Sequence, residues 1–152
     1  MRTGDVVPDF ELPDQTGTPR RLSAFLSDGP VVLFFYPAAM TYGCTKESCH
    51  FRDLAAEFAA VGAQRVGISA DEIEKQKRFD EKESLGFPLL SDPDRVVATQ
   101  LGAKRNVGFL PNRRITFVID TDRTVLDVIH SEVSMGAHAD RALAVLKTRR
   151  GG

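Results

Sequence analysis

The chain has 152 residues, 42% hydrophobic and 27% charged, proportions that exclude disordered, collagen-like and membrane-spanning classes and fit one globular domain. Lysines and arginines total 20 against 21 aspartates and glutamates, so the formal charge of -1 creates no global field to attract nucleic acid or an anionic membrane. Two cysteines, Cys44 and Cys49, are too few for a disulfide scaffold, and their closeness points to chemistry.

The start, Met1 to Pro8, lacks the apolar run of a signal peptide, and the stretch Val31 to Tyr36 falls far short of the roughly 20 residues that cross a bilayer. A cytoplasmic protein with no membrane and no nucleic-acid partner is expected. Its single domain is expected over residues 1–148, followed by a frayed tail at 149–152.

Turn chemistry at Asp14 to Gly17 and at Pro19 predicts a small N-terminal hairpin. Val31 to Tyr36, apolar throughout and bounded by Gly29-Pro30 and Pro37, reads as a central strand buried on both faces. From Thr41 to Val61 the apolar positions Phe51, Leu54, Ala55, Phe58 and Ala59 have helical spacing, with Gly62 as the stop. Arg65 to Ala70 is the next strand. A mostly charged helix is predicted from Asp71 to Leu85, apolar only at Ile73 and Phe79 and closed by Gly86. Phe87 to Leu90 is a short strand, and a brief helix after Pro93 is expected to carry Val96, Val97 and Leu101 inward. Ile115 to Ile119 and Thr124 to Ile129 flank the turn residues Asp120 to Arg123 and predict a second hairpin. The last helix, Ala137 to Lys147, packs through Ala142, Leu143, Val145 and Leu146. This order resembles an α/β, thioredoxin-like fold: a central mixed β-sheet flanked by helices, with an N-terminal β-hairpin extension.

Strand, turn and helix meet between Tyr36 and Cys49. Cys44 falls in the first helical turn, with Thr41 as the candidate N-cap. A lone cysteine is commonly a small inert hydrophobe. At a helix start, however, unpaired N–H groups and a partial positive charge favour the thiolate, and this position argues for a nucleophile. In an intact helix two residues five apart rise about 7.5 Å and stand about 140° from one another, a Cα separation of about 8.6 Å. A disulfide rarely tolerates more than about 7 Å. Cys44 and Cys49 therefore do not pair while the helix is formed, and pairing requires the first turns to unwind. Cys49 also fits a simple core position, and two cysteines alone make a poor zinc site.

Pro37-x-x-x-Thr41-x-x-Cys44 resembles the active-site motif of the peroxiredoxins, and Gly43-Cys44-Thr45-Lys46-Glu47-Ser48-Cys49-x-Phe51-Arg52-Asp53 is similar to their Q, or bacterioferritin comigratory protein, branch. Further matches are Asp9-Phe10-x-Leu12-Pro13-Asp14, Leu89-Leu90-Ser91-Asp92 and Arg114-x-Thr116-Phe117-Val118-Ile119-Asp120, so the resemblance covers nearly the whole chain. It implies that Cys44 is the peroxidatic cysteine and Cys49 the resolving one. Thr41 is then expected to hydrogen-bond the peroxide, Pro37 to shape the pocket, and Arg114 to complete it from the hairpin, with Glu47 orienting an arginine. The family commonly has proline where Tyr42 stands. Tyr42 is expected to leave the first turn less preorganised, easing its unwinding, and to reshape the pocket mouth.

The resemblance implies an enzyme that reduces hydrogen peroxide and organic hydroperoxides, is recycled by a thioredoxin-like or glutaredoxin-like dithiol protein, and needs no haem, flavin or metal. A monomer is expected, with a dimer compatible. His50, His130 and His138 have no spacing typical of a metal cluster or a Cys-His pair and receive no role. Two other readings of the fold are a disulfide reductase, which normally uses the tighter Cys-x-x-Cys spacing, and a copper-binding module using both thiols with His130 or His138, in which Thr41 and Arg114 have no job.

Overall fold

A computed structural model describes residues 1–104, 112–131 and 134–151. In chain order the elements are β1 (Glu11–Pro13), β2 (Pro19–Arg21), α1 (Leu22–Leu26), β3 (Val31–Phe35), α2 (Tyr42–Asp53), α3 (Ala55–Ala60), β4 (Gln64–Ser69), α4 (Ile73–Glu83), β5 (Leu89–Ser91), α5 (Val96–Leu101), β6 (Ile115–Ile119), β7 (Val125–His130) and α6 (Met135–Gly151). β1 and β2 form the expected separate antiparallel hairpin. The other five strands make one mixed sheet in the order β5-β4-β3-β6-β7. β3 lies at its centre, parallel to β4 and antiparallel to β6.

The alternation of side chains along β3 divides the interior in two. Val31, Leu33 and Phe35 join one apolar cluster, covered by Leu22, Phe25 and Leu26 of α1 and by Val97, Ala98 and Leu101 of α5. Val32, Phe34 and Tyr36 join another, which holds Cys44 and Phe51 of α2, Phe58 of α3, Phe79 of α4 and Ala139, Ala142, Leu143 and Leu146 of α6. Phe51 stacks on Phe34 with ring centroids 4.2 Å apart, clamping α2 to the central strand. Gly67 is required by this packing, since a Cβ there would stand 2.9 Å from Leu89 Cδ2 and 3.0 Å from the Phe34 ring.

Several expected boundaries move for identifiable reasons. The single helix expected over 41–61 is interrupted at Leu54, next to a site where the Arg65 guanidinium donates to the Phe51 carbonyl at 2.9 Å, using an acceptor that a continuous helix would offer to residue 55. The charged helix, α4, starts two residues later than expected and ends at Ser84 in the left-handed region, φ 50°. It also buries Gln76, which binds the Tyr36 hydroxyl, the Ser69 hydroxyl and the Leu90 carbonyl. Val96 does not point inward but is 56% exposed, because Asp92 fixes the start of α5 by accepting from the amides of Val96, Val97 and Ala98. The expected tail at 149–151 is the last turn of α6, and Arg149 is paired with Asp120 at 2.8 Å. Gly152 lies outside the described residues.

Candidate active site

β3 delivers the chain to the site through Tyr36 and a buried Pro37. The next residues turn sharply. Met40 adopts φ 63°, a left-handed conformation that is strained for a side chain of this size. The turn is held from outside by Asp71, which accepts from the Ala39 amide at 2.7 Å and from the Ser69 hydroxyl at 2.7 Å. Thr41 occupies the N-cap position of α2, yet its hydroxyl donates to the Ala38 carbonyl at 2.8 Å and makes no capping bond. The expected N-cap position is thus occupied by Thr41, without a side-chain capping bond. The first helical bond runs from the Thr45 amide to the Thr41 carbonyl, so the amides of Tyr42, Gly43 and Cys44 lie ahead of the helical ladder, around the cysteine. Tyr42, the first helical residue, is 85% exposed.

Cys44 is buried, and both thiols are free. Arg114, just before β6, sends Nη2 to the Cys44 sulfur at 3.4 Å and Nη1 to Glu47 Oε1 at 2.8 Å. Glu47 is fully buried and Arg114 7% exposed, so the pair is a charge-assisted contact out of water. Burial alone would lower the proton affinity of the guanidinium; Glu47 and Cys44 more than offset it, leaving Arg114 raised above its ordinary value. A fixed cation beside a buried sulfur is placed to balance negative charge on that sulfur or on an oxygen bound to it.

Cys49, one and a half turns further along α2, is partly exposed and borders a cleft of about 510 Å³ lined also by Lys46, His50, Asp53 and Gly136. Its Sγ donates to Glu83 Oε2 at 3.5 Å. Burial pushes the Cys49 thiol up; Arg52 opposes this, and the Glu83 carboxylate reinforces it. His50 bonds Asp140 at 2.9 Å, tying α2 to α6 across the cleft.

The fold brings Cys44, Glu47 and Arg114 into direct contact, with Arg114 arriving 67 residues beyond Glu47; Pro37 and Thr41 lie on the turn that enters α2, Tyr42 faces solvent, and Cys49 borders the separate cleft beside Glu83. Sequence reasoning missed two contributors. Asp71 carried no signal beyond its position after a strand. His138, assigned no role, is fully buried in α6 with Nε2 at 3.6 Å from Glu47 Oε2. His130, by contrast, is exposed at the end of β7. Among the described residues, no group of three or more histidine, cysteine, aspartate or glutamate side chains could hold a metal ion.

A helix-start cysteine facing an arginine just ahead of β6, on a thioredoxin-like sheet, defines the class. The chain belongs to the AhpC/TSA family, which it matches over residues 3–128, and is a peroxiredoxin, a thiol peroxidase. Within that class it is similar to the Bcp and Q proteins. The crystal structure of peroxidoxin BcpB from Mycobacterium tuberculosis matches with a TM-score of 0.94 and 67% sequence identity, covering 97% of each chain. Peroxiredoxin Bcp of Escherichia coli is 39% identical over 152 residues, 97% of this chain and 96% of its own. A bacterioferritin comigratory protein of Xanthomonas campestris, studied for alkyl peroxide reduction, matches with a TM-score of 0.84 and 30% identity over 92% of this chain and 91% of its own.

Proposed function

We propose that Cys44 is the peroxidatic cysteine and Cys49 the resolving one of an intramolecular cycle. The observation that carries this reading is the Arg114 fork, one arm on Glu47 and the other on the Cys44 sulfur. Cys44 thiolate attacks the distal oxygen of a hydroperoxide; an S–O bond forms as the O–O bond breaks, and the alkoxide or hydroxide takes a proton and leaves as alcohol or water. Negative charge moves from sulfur to the leaving oxygen, and Arg114 with the first amides of α2 is positioned to follow it. Thr41, whose donor is engaged with Ala38, presents its lone pairs to the proton of the peroxide. Pro37 shapes the pocket floor.

The Cys49 thiol then attacks the Cys44 sulfenic acid, forming the disulfide and releasing water. A thioredoxin-like or glutaredoxin-like dithiol protein takes the oxidising equivalents by exchange and restores both thiols. The first turns of α2 unwind for this step, because a helical separation of about 8.6 Å exceeds disulfide reach. Substrates are hydrogen peroxide and organic hydroperoxides, the latter supported by the alkyl peroxide reduction of the Xanthomonas campestris relative. The chain acts as one domain that includes α6 to Gly151, and as a monomer, since the two thiols of the cycle lie on one helix and need no second copy. Two free thiols fit the reducing cytoplasm as its compartment.

Intact-mass measurement after one equivalent of peroxide tests the cycle. The reduced protein is expected to lose about 2 Da, Cys49→Ser to gain about 16 Da, and Cys44→Ser to remain unchanged. A stable gain of about 16 Da in the unsubstituted protein overturns the two-cysteine cycle, and peroxide consumption by Cys44→Ser overturns the assignment of Cys44.

A further inference from the structure

The peptide unit between Ala38 and Ala39 is held at both ends. Its N–H, on Ala39, donates to Asp71 Oδ2 at 2.7 Å; its carbonyl, on Ala38, accepts from the Thr41 hydroxyl at 2.8 Å. The unit is planar and trans, so the two groups point in opposite directions and neither turns without the other. Between Ala39 and Thr41 stands Met40 at φ 63°, and this left-handed step brings the Thr41 hydroxyl back onto the carbonyl three residues before it. Such a conformation persists only where its surroundings enforce it.

Asp71 is itself fixed. Its Oδ2 also accepts from the Ser69 hydroxyl at 2.7 Å, and its Oδ1 pairs with Lys75 Nζ at 3.2 Å. The Ser69 oxygen in turn accepts from the Asp71 amide at 3.2 Å and from Gln76 Nε2 at 2.9 Å, which uses both of its lone pairs. Every group that holds the carboxylate from this side belongs to β4, to α4 or to the link between them, and none to α2.

We propose that Asp71 is a positioning residue for peroxide reduction: through the Ala38–Ala39 peptide it orients the Thr41 hydroxyl so that its lone pairs face the incoming peroxide. The inference rests on the role given above to Thr41. A hydroxyl has one hydrogen, and with that hydrogen committed to the Ala38 carbonyl, the direction of the remaining lone pairs is set by where the carbonyl points. The carboxylate at the N–H end also polarises the peptide, which makes the carbonyl a stronger acceptor and the Thr41 oxygen a better acceptor for the peroxide O–H. Asp71 thus acts on the proton of the peroxide and not on the Cys44 sulfur. Because it stands outside α2, the same anchor is in place when the start of that helix re-forms in the proposed cycle.

Two rates of Cys44 in the reduced full chain test this: oxidation by hydrogen peroxide, followed by stopped flow, and alkylation by iodoacetamide, which brings no peroxide proton for Thr41 to accept, read by peptide mass. Asp71→Ala is expected to slow oxidation about tenfold or more while alkylation stays within about twofold of the parent. Asp71→Asn, whose amide oxygen accepts from both Ala39 and Ser69, is expected to keep oxidation within about threefold of the parent. On a Thr41→Val background, Asp71→Ala is expected to add less than about a twofold loss, because both changes remove the same oriented oxygen. Asp71→Ser, one bond too short for Ala39, carries the same expectations if Asp71→Ala does not fold; failure of both to fold marks Asp71 as structural and overturns the proposal. It is equally overturned if Asp71→Ala oxidises within about twofold of the parent, if oxidation and alkylation fall together, if Asp71→Asn is as slow as Asp71→Ala, or if the loss persists in full on Thr41→Val. Thr41→Val alone separates two failures: a parent-like rate there removes the role of Thr41, whereas a slow Thr41→Val beside a fast Asp71→Ala removes only that of Asp71.

Discussion

Cys44 is fully buried with a guanidinium nitrogen 3.4 Å from its sulfur, whereas Cys49, on the same helix, is partly exposed with a carboxylate oxygen 3.5 Å away. One sulfur is placed beside a cation that can balance a charge; the other is held in its protonated form by burial and by Glu83. On the proposed cycle, the difference separates two nucleophiles in time. A protonated Cys49 does not compete for peroxide, and unwinding of α2 would take its thiol away from Glu83 as it brings it toward the sulfenic acid. The same motion that closes the distance then also releases the nucleophile.

The comparison is broken most severely at Arg114. Arg114→Lys keeps a positive charge but cannot reach Glu47 and the sulfur with two fixed arms, and single-turnover stopped flow is expected to show a loss of about a hundredfold in peroxide reactivity. Glu83→Gln acts on the other thiol. Removing the carboxylate is expected to bring the Cys49 pKa down toward its ordinary value and raise its iodoacetamide alkylation rate about threefold at pH 8, with Cys44 oxidation unchanged. The sign of the linked stability follows: folding raises the proton affinity of Cys49, so its contribution is complete below the ordinary thiol pKa and is lost as pH rises through the raised value. Denaturant midpoints of the parent and Glu83→Gln are expected to converge at alkaline pH. The smallest effect is expected from Tyr42→Pro. Fixing φ at the first helical position should stiffen the start of α2 and slow conversion of sulfenic acid to disulfide by about threefold, read as the delay between oxidation and thiol loss.

Most of the sheet was legible because its strands are short runs of β-branched and aromatic residues set off by Gly, Pro and Asp. Val31 to Tyr36 and the hairpin around Asp120 to Arg123 needed no tertiary information. The errors fell where a distant side chain settled a local choice. Arg65 meets the Phe51 carbonyl at the helix break near Leu54, and Asp92 rotates α5 so that Val96 faces water. The motif around Cys44 singled out the sulfur that Arg114 meets, but periodicity and spacing are silent on contacts between remote segments. Arg114 to Glu47 spans 67 positions and His138 to Thr116 spans 22, so the buried network could be assembled only once the sheet had brought β6, α2 and α6 together.

The split interior has a consequence for how the molecule survives repeated oxidation. No residue of α2 belongs to the cluster covered by α1 and α5, whereas Cys44 and Phe51 are embedded in the other. Fraying of the start of α2 therefore strips contacts from one side of the sheet and leaves the opposite layer sealed. Hydrogen exchange is therefore expected to show two cooperative units, with amides at the start of α2 opening at a sub-global free energy and those of β3 and β4 exchanging only on global unfolding. The proposed cycle would sample the weaker unit and refold against the stronger one.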